Sequence, residues 1–284
     1  MFDREAVMAT GRARLMYPWQ SPKQAAKDIW FILHARRASR ALARFDQAPA
    51  SQLALALREF ARFSADAPER EWLWRCERFR QELCGSEEKV RMRNFGKEAE
   101  TGQLHFDEYT LGELCRVGAK PYVWNFLLFR LIRSFRPLRC LEIGTSIGVS
   151  TSFQSAALTL NGAGTIETLE GSEDLSRAAD RHLSSLGISC ARGYIGEFQV
   201  TLPEVLRVMG TIDYAFIDGH LEPTATLRYF EMIKPYLSDN ALYVCSWIRW
   251  SEGMHSAWNK IIADPCVVCY ADVYKYGVVV LNKK

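Results

Sequence analysis

Absences narrow this chain first. No stretch of about eighteen uncharged apolar residues occurs in its 284 residues, so no membrane-spanning helix is expected. The first residues mix Asp3, Arg4 and Glu5 and hold no sustained apolar run, so no secretory leader is expected either. Internal repeats and low-complexity tracts are missing, which excludes repeat and fibrous architectures. No GK[ST] follows a glycine turn, which excludes a P-loop. No GxGxxG follows an apolar strand, which argues against a dinucleotide and its pyrophosphate. A second CxxC is also missing: Cys266 and Cys269 form one such pair inside the apolar run CVVCYADV. In a strand those two thiols would face opposite sides, so no zinc site is expected. All eight cysteines read as reduced core residues of a cytoplasmic protein.

Excess charge is slight, at +3 overall. Residues 1–100 carry 19 Lys and Arg against 14 Asp and Glu, and the remainder 17 against 19. The surplus gathers at Arg36, Arg37, Arg40 and Arg44, read as a solvated helix face rather than a nucleic-acid surface. With 48% hydrophobic and 24% charged residues the composition is that of a folded globular protein. The length suits one large domain or one domain with a helical annex.

The most informative stretch that is present is Leu141 to Ser152, LEIGTSIGVSTS. An apolar run ends in an acid, breaks at Gly144-Thr145-Ser146-Ile147-Gly148, and continues into a helix from Val149 to about Leu160. Glycines permit the sharp turn, and the unpaired N–H groups of the helix start, with Thr145, Ser146 and Ser150, supply donors. Ser146 stands where a dinucleotide turn has its middle glycine, so the ligand has no pyrophosphate. Some two dozen residues on, Glu170 ends the next strand, placed to accept both hydroxyls of a ribose at roughly 1.5–3 kcal/mol per charge-assisted bond.

The rest of the chain frames that site. Helices are expected over 23–45, with Ser21 as N-cap and Pro22 in the first turn, over 51–63 and over 68–83. Trp72, Trp74 and Phe79 are read as core or interface residues. Gly85 to Gly102 reads as a charged linker or mobile lid, and residues 1–100 show no strand signal. Helices over 109–117 and 121–135 precede the strand at Arg139. Strands at 165–170, 188–194, 212–218 and 241–247 then alternate with helices at 173–186, 197–209, 223–236 and 251–263. Strands at 267–273 and 278–281 close as an antiparallel hairpin. This is an α/β fold: a doubly wound, mostly parallel, seven-stranded Rossmann-like sheet with a C-terminal antiparallel hairpin and an N-terminal helical region.

Five segments now fall in order: LEIGTSIGVSTS, TIETLEGSEDLSRAA, GEFQVTLPEVL, IDYAFIDGH, and TLRYFEMIKPYL followed by IRWSEGMHSAW. They resemble the successive motifs of class I S-adenosylmethionine-dependent methyltransferases, specifically a bacterial O-methyltransferase-like group, over about residues 88–283. The resemblance implies S-adenosylmethionine as cofactor, bound by a domain spanning 103–284. The helical region 1–102 would then be a lid, substrate or oligomerisation unit. It puts Glu142, Gly144, Thr145, Ser146 and Gly148 around the methionine part and Glu170 on the ribose. Gly171, Ser172, Gly196 and Glu197 would lie near the adenine, and Asp218 would face the sulfonium and the substrate.

The acceptor half departs from the pattern. Related sequences end the fifth strand in an acidic pair, DDIHWS, which in catechol-type enzymes joins an acid of strand four in holding a divalent metal. Here the segment reads SWIRWS, with Ser246 and Trp247 at the acidic positions. Asp218 alone remains, a poor cage for a hard cation, so no metal is expected. A hydroxyl acceptor then needs a side-chain base; His220 is the first candidate, or is an exposed loop histidine, and His255 is the second. Ser246, Trp247 and Trp250 are expected in the acceptor pocket, for an apolar or planar small molecule. The expected function is metal-independent methyl transfer to such an acceptor, at oxygen. The alternatives are a protein that keeps the fold without transferring methyl, and a nucleic-acid methyltransferase using the arginine-rich helix. A homo-oligomer through the N-terminal helices is also compatible.

Overall fold

The computed structural model describes residues 22–283. Ser21, the expected N-cap, lies outside them. Three helices lead: α1 (Pro22–Leu42), α2 (Ala48–Ala61) and α3 (Ala67–Cys84). α1 buries Phe31, Ile32, Ala35 and Leu42 along one stripe, and α2 buries Leu53, Ala54, Leu57 and Phe60. α3 starts at a reciprocal cap: Asp66 accepts from the Glu69 amide, and the Glu69 carboxylate accepts from the Asp66 amide.

The segment from Gly85 to Gly102 corrects the expectation of a strandless linker. It holds β1 (Lys89–Arg93) and α4 (Phe95–Thr101), and β1 pairs antiparallel with β2 (Phe106–Thr110). In β1 only Val90 and Met92 face inward, between three basic residues. So brief an alternation carries little signal by itself, and pairing with a strand more than a dozen residues away makes it a ribbon. Tyr109 therefore belongs to β2, and α5 (Leu111–Val117) starts after Thr110, whose side chain caps it together with Glu113.

The remaining elements follow the expected alternation. They are α6 (Tyr122–Phe135), β3 (Arg139–Ile143), α7 (Val149–Asn161), β4 (Thr165–Glu170), α8 (Glu173–Ser185) and β5 (Ala191–Ile195). Then come α9 (Phe198–Met209), β6 (Ile212–Ile217), α10 (Pro223–Ile233), β7 (Leu237–Ser246), α11 (Glu252–Ile262), β8 (Val267–Val273) and β9 (Tyr276–Leu281). The largest strand-boundary shifts are at β5 and β7. Ile188 is not in β5; it belongs to the cap of α8, where its amide donates to Leu183 O after Gly187 turns at φ 75°. β7 begins four residues before Ala241, pairing back to Ile212.

The seven-stranded sheet runs β5-β4-β3-β6-β7-β9-β8, with β9 antiparallel to both neighbours. β3 and β6 are adjacent, and the chain leaves them in opposite directions across the sheet. The crevice for a ligand opens at such a switch point, beyond the carboxyl ends of the strands.

Each sheet face has its own apolar cluster. Leu141, Ile143, Ala215, Ile217 and Tyr243 pack with α9, α10 and α11. Cys140, Tyr214, Phe216, Leu242, Val244 and Val278 pack with α6 and α7, and the N-terminal helices join this cluster directly. Phe31 stacks on Trp124 at 5.4 Å and meets Tyr276 edge-on at 5.5 Å. Ion pairs reinforce the junction: Arg130 of α6 binds Glu59 and Glu69, and Arg133 donates to Glu69 at 2.8 Å. Arg37 and Arg40 on α1, and Arg44 in the turn after it, are exposed.

Candidate active site

The turn after β3 is tied to β4 by its own backbone. The Gly144 and Thr145 amides both donate to Leu169 O, at 2.9 and 3.1 Å. Gly144 has φ 102°, and a Cβ there would lie 2.9 Å from the Asp218 backbone. Only glycine lets the ends of β3 and β6 approach so closely. Ser146, at φ 48°, turns its amide onto Glu170 Oε2 at 2.7 Å, and the Ser172 amide donates to Oε1 at 3.0 Å. Glu170 is thereby held at the rim of a cavity of about 620 Å³. Burial raises its carboxyl above the ordinary range, against the lowering by these amides.

The β1–β2 ribbon and α4 roof that cavity with Met92, Arg93 and Phe95. Ser172 anchors the ribbon, its hydroxyl donating to Arg91 O at 3.0 Å and accepting from the Arg93 amide at 3.3 Å. Phe95 lies against Gly171, where a Cβ would come within 2.5 Å of the ring. Arg93 pairs with Glu98 at 2.8 Å and reaches Glu197 at 3.4 Å.

At the other end, Asp218 Oδ1 accepts from Ser246 Oγ at 2.5 Å and from Lys120 Nζ at 2.8 Å. Both members of the ion pair are buried, the Lys120 side chain 7% exposed and Asp218 10%. Lys120 Nζ also lies 4.9 Å from the centre of the Trp247 ring, which Trp124 and Trp250 meet edge-on. His220 stands exposed at the mouth, its Nδ1 3.1 Å from the Tyr229 hydroxyl.

Of the residues named from sequence, Gly144, Thr145, Ser146, Glu170, Gly171, Glu197, Asp218, His220, Trp247 and Trp250 line this one cavity. Six do not. Glu142 is fully buried beneath it, accepting from Ser150, Thr151, Gln154 and Thr168 at 2.5–2.8 Å. Because side chains alternate along a strand, Glu142 points to the sheet face covered by α7 rather than to the ligand. Gly148 lets α7 approach α8, with Ala179 only 3.2 Å from where a Cβ would sit. Gly196, at φ 140°, donates to Glu170 O and shapes the backbone. Ser172 supports the roof and Ser246 supports Asp218. His255 sits on α11, away from the cavity lining. Sequence reasoning missed Lys120 and the ribbon residues. Lys120 lies in the GAKP loop almost a hundred residues before Asp218, and no local pattern links the two.

A divalent cation does not fit the residues at Asp218. Its Oδ1 is engaged by an ammonium and a hydroxyl, and Ser246 and Trp247 bring no further carboxylate. Among the described residues no group of three or more His, Cys, Asp or Glu is arranged to hold a metal ion.

A family model described as a methyltransferase domain matches residues 141–246, from the glycine-turn strand to Ser246. Solved structures share the chain's fold. The O-methyltransferase TomG of Streptomyces achromogenes, involved in tomaymycin synthesis and solved with S-adenosylmethionine, is 18% identical over 58% of this chain and 82% of its own, at a TM-score of 0.50. The methyltransferase PaMTH1 of Podospora anserina, solved with S-adenosylhomocysteine, is 17% identical over 84% of this chain and 97% of its own, at a TM-score of 0.52. At such identities the likeness speaks for the fold, and function rests on the site. No curated protein sequence matches the chain. The matched span supplies the glycine turn, Glu170 and Asp218, whereas Lys120 and the ribbon come from outside it. No helix among the described residues is long and apolar enough to cross a membrane.

Proposed function

We propose that this protein transfers a methyl group from S-adenosylmethionine to a hydroxyl oxygen of a small planar molecule, without a divalent metal. One observation carries the reading: a single cavity joins Glu170 above the glycine turn to the Asp218–Lys120 pair at the adjacent strand end. Glu170 would accept the ribose hydroxyls with the lone pairs its two amide partners leave free. The Gly144–Ser146 turn would surround the amino-acid part, and Phe95, Leu175 and Phe198 would flank the adenine. When bound, the cofactor supplies a methyl group on a positively charged sulfur.

The protein's share is to place an acceptor oxygen in line with that methyl and to exclude water, from which much of the acceleration comes. Trp247, Trp250 and Tyr229 give the acceptor end aromatic walls. His220 would take the hydroxyl proton: in the tautomer that donates from Nδ1 to Tyr229, Nε2 is the basic nitrogen. The N-terminal region 1–102 would roof and buttress the unit formed by 103–284. Trp30 and Trp74 on the N-terminal helices, and Phe45 in the connection after α1, stay exposed, and burial there would show as a dimer in sedimentation. The reduced thiols suit a cytoplasmic location.

Calorimetry tests the reading. S-adenosylhomocysteine is expected to bind the wild type, and Glu170→Ala to weaken it at least about tenfold, the loss of one charge-assisted bond or more. Methyl transfer to phenols should survive EDTA. No binding by the wild type, or equal binding by Glu170→Ala, would reject the cofactor assignment.

A further inference from the structure

The acidic pair that a metal-dependent relative carries at the end of the fifth strand is here Ser246 and Trp247, and the charge on Asp218 is matched instead by Lys120. That lysine is built into its place. It follows α5 in a short loop, its carbonyl accepts from Asn125 Nδ2 at 2.8 Å, and Pro121 behind it caps α6. Its side chain is almost wholly buried yet lines the cavity, with its ammonium between Asp218 and the face of Trp247. Asp218 is its one ion-pair partner among the described residues, and this contact uses one of three N–H donors. A desolvated ammonium with donors to spare, beside aromatic walls, is an oxyanion site.

We propose that Lys120 is the residue that binds the ionised acceptor oxygen, and that the acceptor class is a phenol or similarly acidic planar hydroxyl with no requirement for a neighbouring oxygen. A divalent metal gains by chelating two oxygens of a vicinal diol; an ammonium contacts one. The steps balance. The acceptor O–H proton passes to His220 or to water at the open mouth, leaving an oxyanion paired with the Lys120 ammonium. The oxyanion lone pair then forms the new O–CH3 bond as the S–CH3 bond breaks, and the sulfur keeps that electron pair and becomes neutral. Lys120 stays protonated throughout. The proposal rests on the cofactor reading above for its methyl donor, but not for its oxyanion site.

The test titrates 4-nitrophenol bound to the full chain, following phenolate absorbance with and without S-adenosylhomocysteine. In the wild type the pKa of the bound phenol should fall by about one unit or more, as a neighbouring cation dictates. Lys120→Met should abolish that shift and lower kcat/KM for phenols by at least about a hundredfold, while S-adenosylhomocysteine binds within about threefold of wild type. Lys120→Arg, keeping the charge, should retain part of the shift. The wild-type titration decides even if Lys120→Met fails to fold. Absence of a shift in the wild type, no binding of the phenol at millimolar concentration, or turnover confined to vicinal diols with added magnesium would overturn the proposal. Loss of S-adenosylhomocysteine affinity in Lys120→Met would also overturn it, by placing the lysine on the cofactor. A wild type that binds no S-adenosylhomocysteine but shifts the phenol would sink the cofactor reading and leave the oxyanion site standing.

Discussion

Glu142 lies under the active site with no exposed surface and four side-chain donors from α7 and β4. Burial is the larger influence on it and raises its carboxyl above the ordinary value, while the hydrogen bonds pull back. The folded protein therefore holds the Glu142 proton to a higher pH than the unfolded chain does. The stability this confers is complete below the unfolded value of about 4.5 and is lost as pH rises through the folded value. Glu142→Gln keeps the shape and removes the titration. Its melting temperature relative to wild type should rise as pH increases from about 4.5 through the folded Glu142 value and then level off, measured by calorimetry; a difference independent of pH would contradict the assignment. At this scale the sequence was half legible. Glu170 and Glu142 both stand at strand ends beside small residues; position and residue type marked Glu170 as a ligand contact, and the family resemblance marked Glu142. Only the direction of each side chain off its strand separates them: Glu170 faces the cavity, and Glu142 the space under α7.

At the scale of elements, α6 carries ion pairs that tie the N-terminal helices to the helices covering the large sheet. Arg130 is 9% exposed and bridges Glu59 of α2 and Glu69 of α3. Removing one member of a buried ion network leaves uncompensated charge, at about 3–5 kcal/mol. Arg130→Met is thus expected to cost that much in urea unfolding, and Arg130→Met combined with Glu59→Gln to recover part of it, since Glu69 keeps Arg133 as its partner. A single-variant loss below about 1 kcal/mol would mean that water already screens the network. Helix positions were legible here from periodicity: the starts expected at 68 and 109 fall within two residues of Ala67 and Leu111, where Asp66 with Glu69 and Thr110 with Glu113 form the caps. The β1–β2 ribbon was not. Its strands are five residues long, largely charged, and stabilised by each other and by Ser172 rather than by any local preference.

For the whole molecule, the apolar cluster on one sheet face runs unbroken from Phe31 and Phe60 through Trp124 and Phe126 to Tyr276 and Val278. A chain of residues 86–284 would expose that face of β7, β9 and β8. It is expected to be insoluble or to lack a cooperative thermal transition and near-UV circular dichroism. Cooperative unfolding with wild-type affinity for S-adenosylhomocysteine would instead show residues 86–284 to be an independent unit. The sequence alone determined the alternating strands and helices, the closing hairpin, the glycine turn without a pyrophosphate site, and the missing acidic pair. Each is a local matter of periodicity, backbone freedom or residue type. The tertiary structure decided what fills the place of the acidic pair. Lys120 and Asp218 are almost a hundred residues apart, and only the crossing from β3 to β6 and the packing of α6 bring an ammonium and a carboxylate to 2.8 Å. Charge pairing over such separation leaves no trace in local pattern, because it depends on where the backbone returns.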